Sequence, residues 1–346
     1  MDKAKIGIIG AGWWAAENHI PILQSRADVE VAAACRLGKS ELRLLQDRFK
    51  IPFITEDYRE LLGQELDGVV VCSPHNLHYE HATAALNRNL HVLCEKPMVL
   101  HTAEARELAA RAQAKGLHFV IPYGWNYSDI AVKAKEIIDQ GEIGSIEHVH
   151  CHMASAHRDL FNGEPTWWAE SAFFKPLSST WSDPAAGGGF LHGQLTHTLA
   201  MMFHVTALEP AKVFALINHF KSGADRSNSI CCQFTNGATG SFGGAATMPP
   251  RSTYQVDIRI FGSKGMLLLD LERPRLELRR NDQTGGAIAI DQQPGGYSCV
   301  EPLNAFVDLI HGRRVENRSP AVLGMHVVEV IDAAFRSAKS QTLQAV

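Results

Sequence analysis

A glycine-rich turn near the start of the sequence has the spacing of a phosphate-binding motif. Residues Gly10–Ala15 (GAGWWA) directly follow a short apolar run. In such a motif the first glycine permits a tight turn, the second lets the backbone approach a pyrophosphate, and a small third residue allows close helix–strand packing. N–H groups at the start of the helix stabilise phosphate charge. The spacing therefore predicts a dinucleotide site, with a plain structural turn as the alternative. The predicted nucleotide-binding residues here are Gly10, Ala11, Gly12, Trp13 and Trp14.

Arg36 follows the second apolar run, where nucleotide-binding folds of this kind usually carry an acidic residue. A carboxylate there accepts hydrogen bonds from the adenosine ribose, whereas a guanidinium cannot accept one but pairs with a 2′-phosphate. The arginine therefore favours NADP(H) over NAD(H). An arginine lying over the adenine ring, which either cofactor allows, is the alternative.

The tripeptide Glu95-Lys96-Pro97 follows another apolar run that ends at Cys94. In an open parallel sheet, residues just after a strand lie at the carboxyl edge, which faces the ligand crevice. A lysine at that edge can donate to a substrate hydroxyl or help to relay its proton, and the proline helps to hold the turn. A surface ion pair is the alternative role for Lys96.

Three histidines, His148, His150 and His152, alternate along one predicted strand and so share one face. At about 3.3 Å per residue the outer pair lies about 13 Å apart. One zinc ion binds nitrogen ligands at about 2 Å and cannot gather such a set. We expect no metal site here, and favour a polar or intersubunit face.

The hydrophobic pattern shows which elements position these groups. Short, continuously apolar runs alternate with amphipathic segments up to residue 123, as expected for parallel strands buried on both faces. The runs are Lys5–Gly10, Val29–Cys35, Gly68–Cys72, His91–Cys94 and His118–Ile121, and the predicted helices include Ser40–Phe49 and Ala103–Lys115. The alternation predicts an α/β, doubly wound parallel sheet in a Rossmann domain of residues 1–123.

The pattern changes over residues 124–346, where glycine-containing turns separate alternating apolar and polar strands. This predicts a second, α+β domain with a large, mostly antiparallel open sheet. The final helix is predicted at Leu323–Lys339, and its packing against the first domain is left open. Further predicted elements are the helix Asp129–Gln140 and the strands Ile146–Met153, Lys212–Phe220, Ser229–Phe234, Thr239–Ala245, Tyr254–Phe261 and Gly265–Leu271.

Composition excludes several classes of protein. The 346 residues are 45% hydrophobic and 20% charged, which argues against disorder and coiled coil. A net charge of −4 without a basic run gives no sign of nucleic-acid binding. The sequence has no apolar stretch long enough for a membrane span, and its N-terminus lacks the pattern of a signal peptide. Together with seven cysteines and no C-x-x-C pair, this predicts a cytoplasmic protein with reduced thiols.

Several motifs together resemble the glucose–fructose oxidoreductase/inositol dehydrogenase (Gfo/Idh/MocA) family. The similarity runs nearly end to end and extends to the closing segment Asp332–Ser337. The motifs are Gly10-x-Gly12, His19-Ile-Pro21, Ser73-Pro-His-Asn76-Leu-His78, Glu95-Lys96-Pro97, the turn Gly141-Glu-Ile-Gly144, and Gly187-Gly-Gly189 with His197.

The resemblance implies hydride transfer between a pyridine nucleotide and a secondary alcohol or ketone of a sugar, sugar acid or cyclitol. It implies that Lys96 and His197 are catalytic and that the second domain's sheet forms a homodimer or homotetramer. A histidine of pKa about 6.5 can accept the hydroxyl proton near neutral pH, and a lysine cation stabilises the developing alkoxide. The cofactor residues implied in addition to the glycine turn and Arg36 are Ser73, Pro74, Asn76, His78, Glu95 and Lys96.

The chain departs from the family pattern at Gly193. The family usually has an aspartate four residues after the last glycine of the triplet, where this sequence has Gly193 followed by Gln194. The carboxylate is unnecessary, is replaced from a segment such as Asp183, or is missing because the reaction differs. One alternative function is therefore a redox-neutral sugar-modifying enzyme that works through a transient ketone and retains its cofactor. A nucleotide-sensing regulator is another, against which the retained Lys96 and His197 argue.

An aromatic-rich stretch precedes the triple glycine and supplies candidate substrate-binding residues. It contains Trp167, Trp168, Phe173, Phe174 and Trp181. These rings either cover the core or form a wall for a sugar, because carbohydrate rings stack on indoles. The predicted substrate-binding residues are Tyr123, Arg158, Trp168, Trp181, Asp183 and Gln194.

Overall fold

Parallel and antiparallel strands separate into two sheets in the computed structural model, which describes residues 3–346 apart from the side chain of Trp167. The strands are β1 (Ala4–Ile9), β2 (Val29–Cys35), β3 (Phe53–Thr55), β4 (Gly68–Val71), β5 (His91–Cys94), β6 (Phe119–Val120), β7 (Ile146–Ala154), β8 (Pro210–His219), β9 (Asp225–Phe234), β10 (Thr239–Ala245), β11 (Gln255–Gly262), β12 (Gly265–Asp270), β13 (Arg275–Arg280), β14 (Gly285–Ile288) and β15 (Gln344–Ala345). The α-helices are α1 (Ile20–Gln24), α2 (Lys39–Phe49), α3 (Tyr58–Leu61), α4 (His78–Asn87), α5 (Thr102–Ala114), α6 (Asp129–Asp139), α7 (Arg158–Asn162), α8 (Ser178–Ser182), α9 (Thr196–Thr206), α10 (Val300–Ile310) and α11 (Ala321–Ser340).

The first sheet has the order β3-β2-β1-β4-β5-β6, with every neighbouring pair parallel. Its central strands are buried on both faces, which explains why they read as continuous apolar runs. Ile9 pairs with Cys35 and with Val71, so three strands end at the same edge. This confirms the predicted doubly wound parallel sheet, and it brings the segments after these strands to one carboxyl edge.

The second sheet has the order β14-β13-β12-β11-β7-β10-β9-β8-β15 and is antiparallel except between β7 and β10. One face is covered, because α9 packs against β7 and β11 and α6 packs against α9. Buried residues of β7 on that face are Val149, Cys151 and Met153. The predicted α+β architecture with a large, mostly antiparallel sheet is confirmed.

The opposite face of this sheet carries the three alternating histidines. Nδ1 of His148 lies 2.9 Å from Oγ1 of Thr239, and Nδ1 of His150 lies 3.0 Å from Oγ of Ser241 on the neighbouring strand. Within residues 3–346 no group of histidine, cysteine or carboxylate side chains has the arrangement of a metal site. His148 and His150 thus bond across strands.

The described residues form two compact units, each of which draws on separate stretches of the chain. The first unit contains residues up to Pro122 with Thr166–Thr180 and Cys299–Met325. The second contains Tyr123–Pro165, Trp181–Ser298 and His326–Val346. Two segments that the sequence analysis places in the second domain thus lie in the first unit, and the division falls within α11.

The cysteines form no disulfide in this structure, and five of the seven are buried. A buried thiol behaves as a small hydrophobic side chain. Across residues 3–346, no helix is both long enough and apolar enough to cross a membrane.

Candidate functional site

The glycine turn joins β1 to a π-helical turn at Ala15–His19 that continues into α1. Gly10 has φ 82°, and a Cβ on it would lie 2.3 Å from the backbone N of Ser73, so only glycine fits there. A Cβ on Gly12 would meet nothing nearer than the carbonyl oxygen of Gly10 at 3.9 Å. The fold requires the first glycine, whereas the second leaves an open space that a side chain would fill. That space allows the pyrophosphate of a dinucleotide to approach the protein main chain closely.

Arg36 lies at the carboxyl end of β2, beside this turn. Its Nη1 donates to the carbonyl oxygen of Ala11 (3.4 Å) and its Nε to that of Leu37 (3.2 Å). The guanidinium carbon is 3.9 Å from the ring centroid of Phe174. Burial lowers the pKa of Arg36 and Glu41 opposes the shift, but an arginine stays charged under all ordinary conditions. The structure thus holds one cation beside the glycine turn.

Glu95 and Lys96 follow β5 at the same edge and are both buried. Oε1 of Glu95 lies 2.8 Å from Nε2 of His19, and Oε2 accepts the backbone N–H of Lys96 (3.0 Å). Burial raises the pKa of Glu95, but the bond with His19 and the charge of Lys96 outweigh it, so the net pKa falls. Burial lowers the pKa of Lys96, with Glu95 opposing. Glu95 and Lys96 therefore place a buried carboxylate and a buried amine next to each other at the carboxyl edge of the sheet.

His78 connects the segments after β4 and β5. Its Nδ1 lies 2.8 Å from the carbonyl oxygen of Pro97, and its Nε2 lies 2.8 Å from that of Ser73. The ring is fully buried, and burial lowers its pKa. His78 is predicted to bind cofactor. In the structure its ring joins Ser73 to the segment that contains the cis Lys96–Pro97 peptide.

The other residues of the Ser73–His78 motif range from the buried Ser73 to the exposed Asn76. Ser73 bonds through Oγ to Nδ1 of His81 (2.8 Å). Pro74 is half-buried and precedes a 3₁₀ turn at His75–Leu77, on which Asn76 is exposed. Ser73, Pro74 and Asn76 therefore all belong to the carboxyl edge that carries the glycine turn.

His197 lies in the second unit, in the first turn of α9, and is 6% exposed. Three aromatic rings meet its imidazole edge-on, with centroid distances of 5.7 Å for Tyr123, 5.6 Å for Trp125 and 5.0 Å for Tyr297. The hydroxyl of Tyr123 bonds to Oγ1 of Thr196 (2.8 Å). These contacts fix the orientation of the ring and limit the access of water to it.

Gly193 lies one turn before His197 and packs against two aromatic side chains. An ideal Cβ on Gly193 would come within 2.6 Å of the Phe161 ring and 3.7 Å of Trp181. A contact under 3.0 Å forces a neighbour to move, so an aspartate does not fit this packing. The neighbouring Gln194 is buried.

A buried carboxylate that the sequence analysis did not find lies next to the last glycine of the triple glycine. Asp225 begins β9, and its Oδ2 accepts the backbone N–H of Leu191 (2.9 Å). An ideal Cβ on Gly189 would lie 2.0 Å from Oδ1 of Asp225, and Gly189 has φ 121°. Burial raises the pKa of Asp225 to about 7, against the lowering effect of the backbone hydrogen bonds. Asp225 thus anchors the segment that leads to His197.

The residues predicted to form a substrate wall are divided between the compact units. Trp168 lies in the first unit, where its ring is 5.2 Å from that of Trp13. Trp181 lies in the second unit, 6.4 Å from Phe161. Asp183 caps a 3₁₀ turn by accepting the N–H of Ala185 (2.9 Å). Arg158 begins α7 and is exposed, whereas the side chain of Trp167 lies outside the described residues.

Sequence reasoning missed Trp125 and Tyr297, which contact His197, and Phe161 and Asp225, which contact the segment before it. Trp125 stands two residues after the predicted Tyr123, and this proximity is a usable signal. Tyr297 is 100 positions from His197 in an irregular segment, and no local pattern marks it.

Family models match most of the chain. One, described as an oxidoreductase family with an NAD-binding Rossmann fold, matches residues 4–123. Another, the GFO/IDH/MocA C-terminal domain, matches residues 131–268. The two matches lie in the regions that form the parallel and the antiparallel sheet.

Similar proteins include characterised dehydrogenases. D-glucoside 3-dehydrogenase of Escherichia coli is 31% identical over 164 residues, which are 47% of this chain and 45% of that protein. D-xylose 1-dehydrogenase (NADP(+)) of Hypocrea jecorina is 29% identical over 219 residues, or 60% of this chain and 54% of that one. The chain thus matches about half the length of these two relatives.

A solved structure of levoglucosan dehydrogenase in complex with NADH and L-sorbose superimposes with a TM-score of 0.79. The superposition covers 99% of each chain at 19% sequence identity. At this identity the likeness shows a shared fold.

Proposed function

Because the chain belongs to the Gfo/Idh/MocA family of oxidoreductases, we propose that it is an NAD(P)-dependent dehydrogenase. Its substrate is a secondary alcohol or ketone of a sugar, sugar acid or cyclitol. The observation that carries the proposal is the buried Lys96 at the carboxyl edge that also presents the open glycine turn. A buried ammonium at a crevice edge is costly, and such groups cluster at functional sites.

The cofactor, when bound, supplies the hydride chemistry, and the protein supplies orientation and charge. Lys96 donates a hydrogen bond to the reacting oxygen and stabilises negative charge that develops there. Glu95 and His19 hold the backbone of Lys96 in place through the 3.0 Å and 2.8 Å bonds described above. The lowered pKa of Lys96 makes its ammonium a stronger acid and brings that pKa nearer to neutral pH, where a group that exchanges protons with a substrate works best.

His197 is the proposed general base for the substrate hydroxyl. Oxidation of an alcohol requires removal of its proton, and an imidazole can accept it near neutral pH. The cage of Tyr123, Trp125 and Tyr297 supports this role, because edge-on rings fix the imidazole and exclude competing water. A purely structural role in the core of α9 is the competing explanation. The rate of hydride transfer and the melting temperature of His197→Ala distinguish the two roles.

Arg36 supports a preference for NADP(H). Its cation lies beside the glycine turn, where the 2′-phosphate of the adenosine ribose would gain a charge-assisted hydrogen bond. The family model is described by NAD binding and one solved neighbour holds NADH, so the preference depends on this residue of the chain.

The substrate class rests on the named relatives and on the aromatic character of the second unit. The relatives act on a glucoside and on xylose, according to their names. Trp181 and the buried Gln194 lie near Gly193 and His197 along the chain, and the Tyr123 ring lies 5.7 Å from that of His197. Together they offer apolar and polar contacts for a sugar ring. Arg158 and Asp183 are the proposed charged contacts for hydroxyl or carboxyl groups. We further propose a cytoplasmic location.

The assembly is proposed to be a homodimer or homotetramer formed through the uncovered face of the nine-stranded sheet. A row of paired residues crosses this face from Phe214 through Cys231, Ser241 and His150 to Arg259. Leu216 on the same face of β8 is 55% exposed. A broad sheet face with exposed apolar side chains favours contact with a second copy.

A redox-neutral reaction is the second candidate, and the packing at Gly193 favours it. The Phe161 ring fills the space into which a carboxylate at position 193 would project. This chain therefore lacks one proton-transfer group of the family pattern. Transient oxidation at one sugar carbon acidifies its neighbour and allows elimination, epimerisation or glycoside cleavage, with the cofactor regenerated.

A screen of the purified protein against sugars and polyols, with NAD⁺ and NADP⁺ in parallel, tests the proposal. We expect reduced nicotinamide to accumulate with at least one sugar or cyclitol. Turnover of a sugar without net change in nicotinamide absorbance supports the redox-neutral candidate instead. Absence of nucleotide binding to the folded protein contradicts both.

A further inference from the structure

The aromatic-rich segment of residues 166–180, here called the clasp, belongs to the compact unit that contains the glycine turn. Its first anchor is Trp168, whose ring lies 5.2 Å from that of Trp13 with an interplanar angle of 46°. Trp13 in turn meets Trp14 edge-on at 5.2 Å. The clasp therefore contacts the residues directly after Gly12, where a phosphate would bind.

A second anchor fixes the middle of the clasp. The backbone N–H of Phe173 donates to Oε1 of Glu17 (2.8 Å) on the helix that follows the glycine turn. The Phe173 ring meets Phe49 edge-on at 6.0 Å, and the Arg48 guanidinium lies 4.6 Å from its centroid. The clasp is thereby tied to the end of α2.

The third anchor is the stack of Phe174 on Arg36 at 3.9 Å, which is close for a cation–π contact. Two backbone carbonyls, of Ala11 and Leu37, accept from Nη1 and Nε of Arg36. In the described part of the chain, no hydrogen bond uses Nη2 of Arg36. Phe174 thus holds one face of the guanidinium while one nitrogen stays available to a ligand.

The three anchors lie on the glycine turn, the end of α2 and the end of β2. In a doubly wound fold the glycine turn and the end of β2 surround the pyrophosphate and adenosine half of a dinucleotide, whereas the contact with the end of α2 serves to hold the clasp in place. We propose that residues 166–180 close over that half of the nucleotide, and that Phe174 determines nucleotide affinity by fixing the Arg36 guanidinium. The inference rests on the proposed nucleotide-dependent function and deepens it.

The physical reason is preorganisation. An arginine side chain loses several rotatable bonds when it pairs with a phosphate or stacks on a base, and that entropy weakens binding. In this chain the aromatic contact and two carbonyls impose the order before the nucleotide arrives. Because the gain in affinity from preorganisation appears mostly in the dissociation rate, the clasp should also slow dissociation.

The test uses the full-length protein and two probes, NADPH and NADH. Nucleotide fluorescence gives the dissociation constant, and stopped-flow displacement gives the dissociation rate. The variant Phe174→Leu keeps apolar bulk but removes the aromatic face, whereas Phe174→Tyr keeps the face. Leu177→Ala is the matched control, because Leu177 lies in the clasp with its side chain 61% exposed.

We expect Phe174→Leu to weaken NADPH binding by roughly 3- to 10-fold, mainly through faster dissociation. Phe174→Tyr and Leu177→Ala stay within about twofold of the wild type. Wild-type affinity and dissociation rate in Phe174→Leu overturn the clasp alone. Absence of nucleotide binding by the wild type overturns the proposed function and the clasp with it, so the two failures are distinguishable.

Discussion

The ring of Phe161 occupies the space into which a side chain at Gly193 would extend, since an ideal Cβ there would lie 2.6 Å from two of its carbons. The glycine is therefore more than the loss of a family carboxylate. Phe161 on α7 packs directly against Gly193, which lies before α9. The segment that leads to His197 thus contacts an aromatic ring. In the proposed mechanism, Lys96 and His197 therefore handle the protons without a carboxylate at position 193.

Restoring the aspartate alone should destabilise the protein. Gly193→Asp forces a buried carboxylate against Phe161, and overpacking of this kind costs about 1–3 kcal/mol before any charge is counted. Chemical denaturation measures the loss. The double variant Phe161→Ala/Gly193→Asp should lose less stability than the sum of the two single losses, because the clash is absent without the ring; Phe161→Ala alone, at a fully buried ring, costs about 3–5 kcal/mol. Equal stability of Gly193→Asp and wild type contradicts the packing described here.

Asp225 should make stability depend on pH in a defined direction. Its pKa is raised to about 7, so the protonated carboxyl is the form that the fold favours. The stability that it contributes is fully present below about pH 4 and is lost as pH rises through about 7. Asp225→Asn keeps an oxygen for the N–H of Leu191 and cannot ionise.

Melting temperatures of wild type and Asp225→Asn between about pH 4 and pH 8 check this prediction. The two proteins should melt alike at the acid end, and the asparagine variant should melt several degrees higher at the alkaline end. A difference that does not change with pH shows that Asp225 does not titrate in this range.

Cofactor preference should reverse when the charge at position 36 is reversed. Arg36→Asp removes the partner for a 2′-phosphate and supplies acceptors for ribose hydroxyls, so NAD(H) should bind more tightly than NADP(H). Titration with both nucleotides measures the order. Arg43→Asp, on the exposed side of α2, is the control with the same change in net charge. Equal or tighter binding of NAD(H) by the wild type contradicts the assignment of Arg36.

Assembly should depend on the uncovered face of the nine-stranded sheet. Leu216→Asp places a charge on that face and should shift the protein towards the monomer. Leu44→Asp, at a residue of α2 that is 53% exposed, is the matched control and should leave the assembly intact. Light scattering at micromolar concentration measures both. A stable wild-type monomer is the result that rejects this interface.

Local pattern was sufficient for five of the six strands of the parallel sheet; β3, only three residues long, was not predicted. Continuous apolar runs predict β2 and β5 with the end residues that the structure has, because strands buried on both faces contain little else. β13 and β14 escaped prediction. In Arg275–Arg280 the charged residues outnumber Leu276 and Leu278, and Gly285–Ile288 is too short and too rich in glycine to show alternation.

The candidate site was predictable only where one motif carries it. Gly10, Arg36 and Lys96 each follow an apolar run, and parallel strands bring such positions to one edge. The ring of Trp168 meets Trp13 across 155 positions of sequence, in an irregular segment with no periodicity. Contacts of that kind depend on tertiary packing, which a single sequence does not display.

The single-turnover rate of hydride transfer in His197→Ala and Lys96→Ala, measured with their melting temperatures and nucleotide affinities, tests the central claim most directly. We predict losses of about 10²–10⁴-fold for His197→Ala and at least about 10²-fold for Lys96→Ala. Nucleotide binding should survive in both, because the Gly10–Ala15 turn holds the phosphates. If His197 serves only the core of α9, its replacement lowers the melting temperature and leaves the rate nearly unchanged. Unaltered hydride transfer in a folded His197→Ala protein would contradict the account.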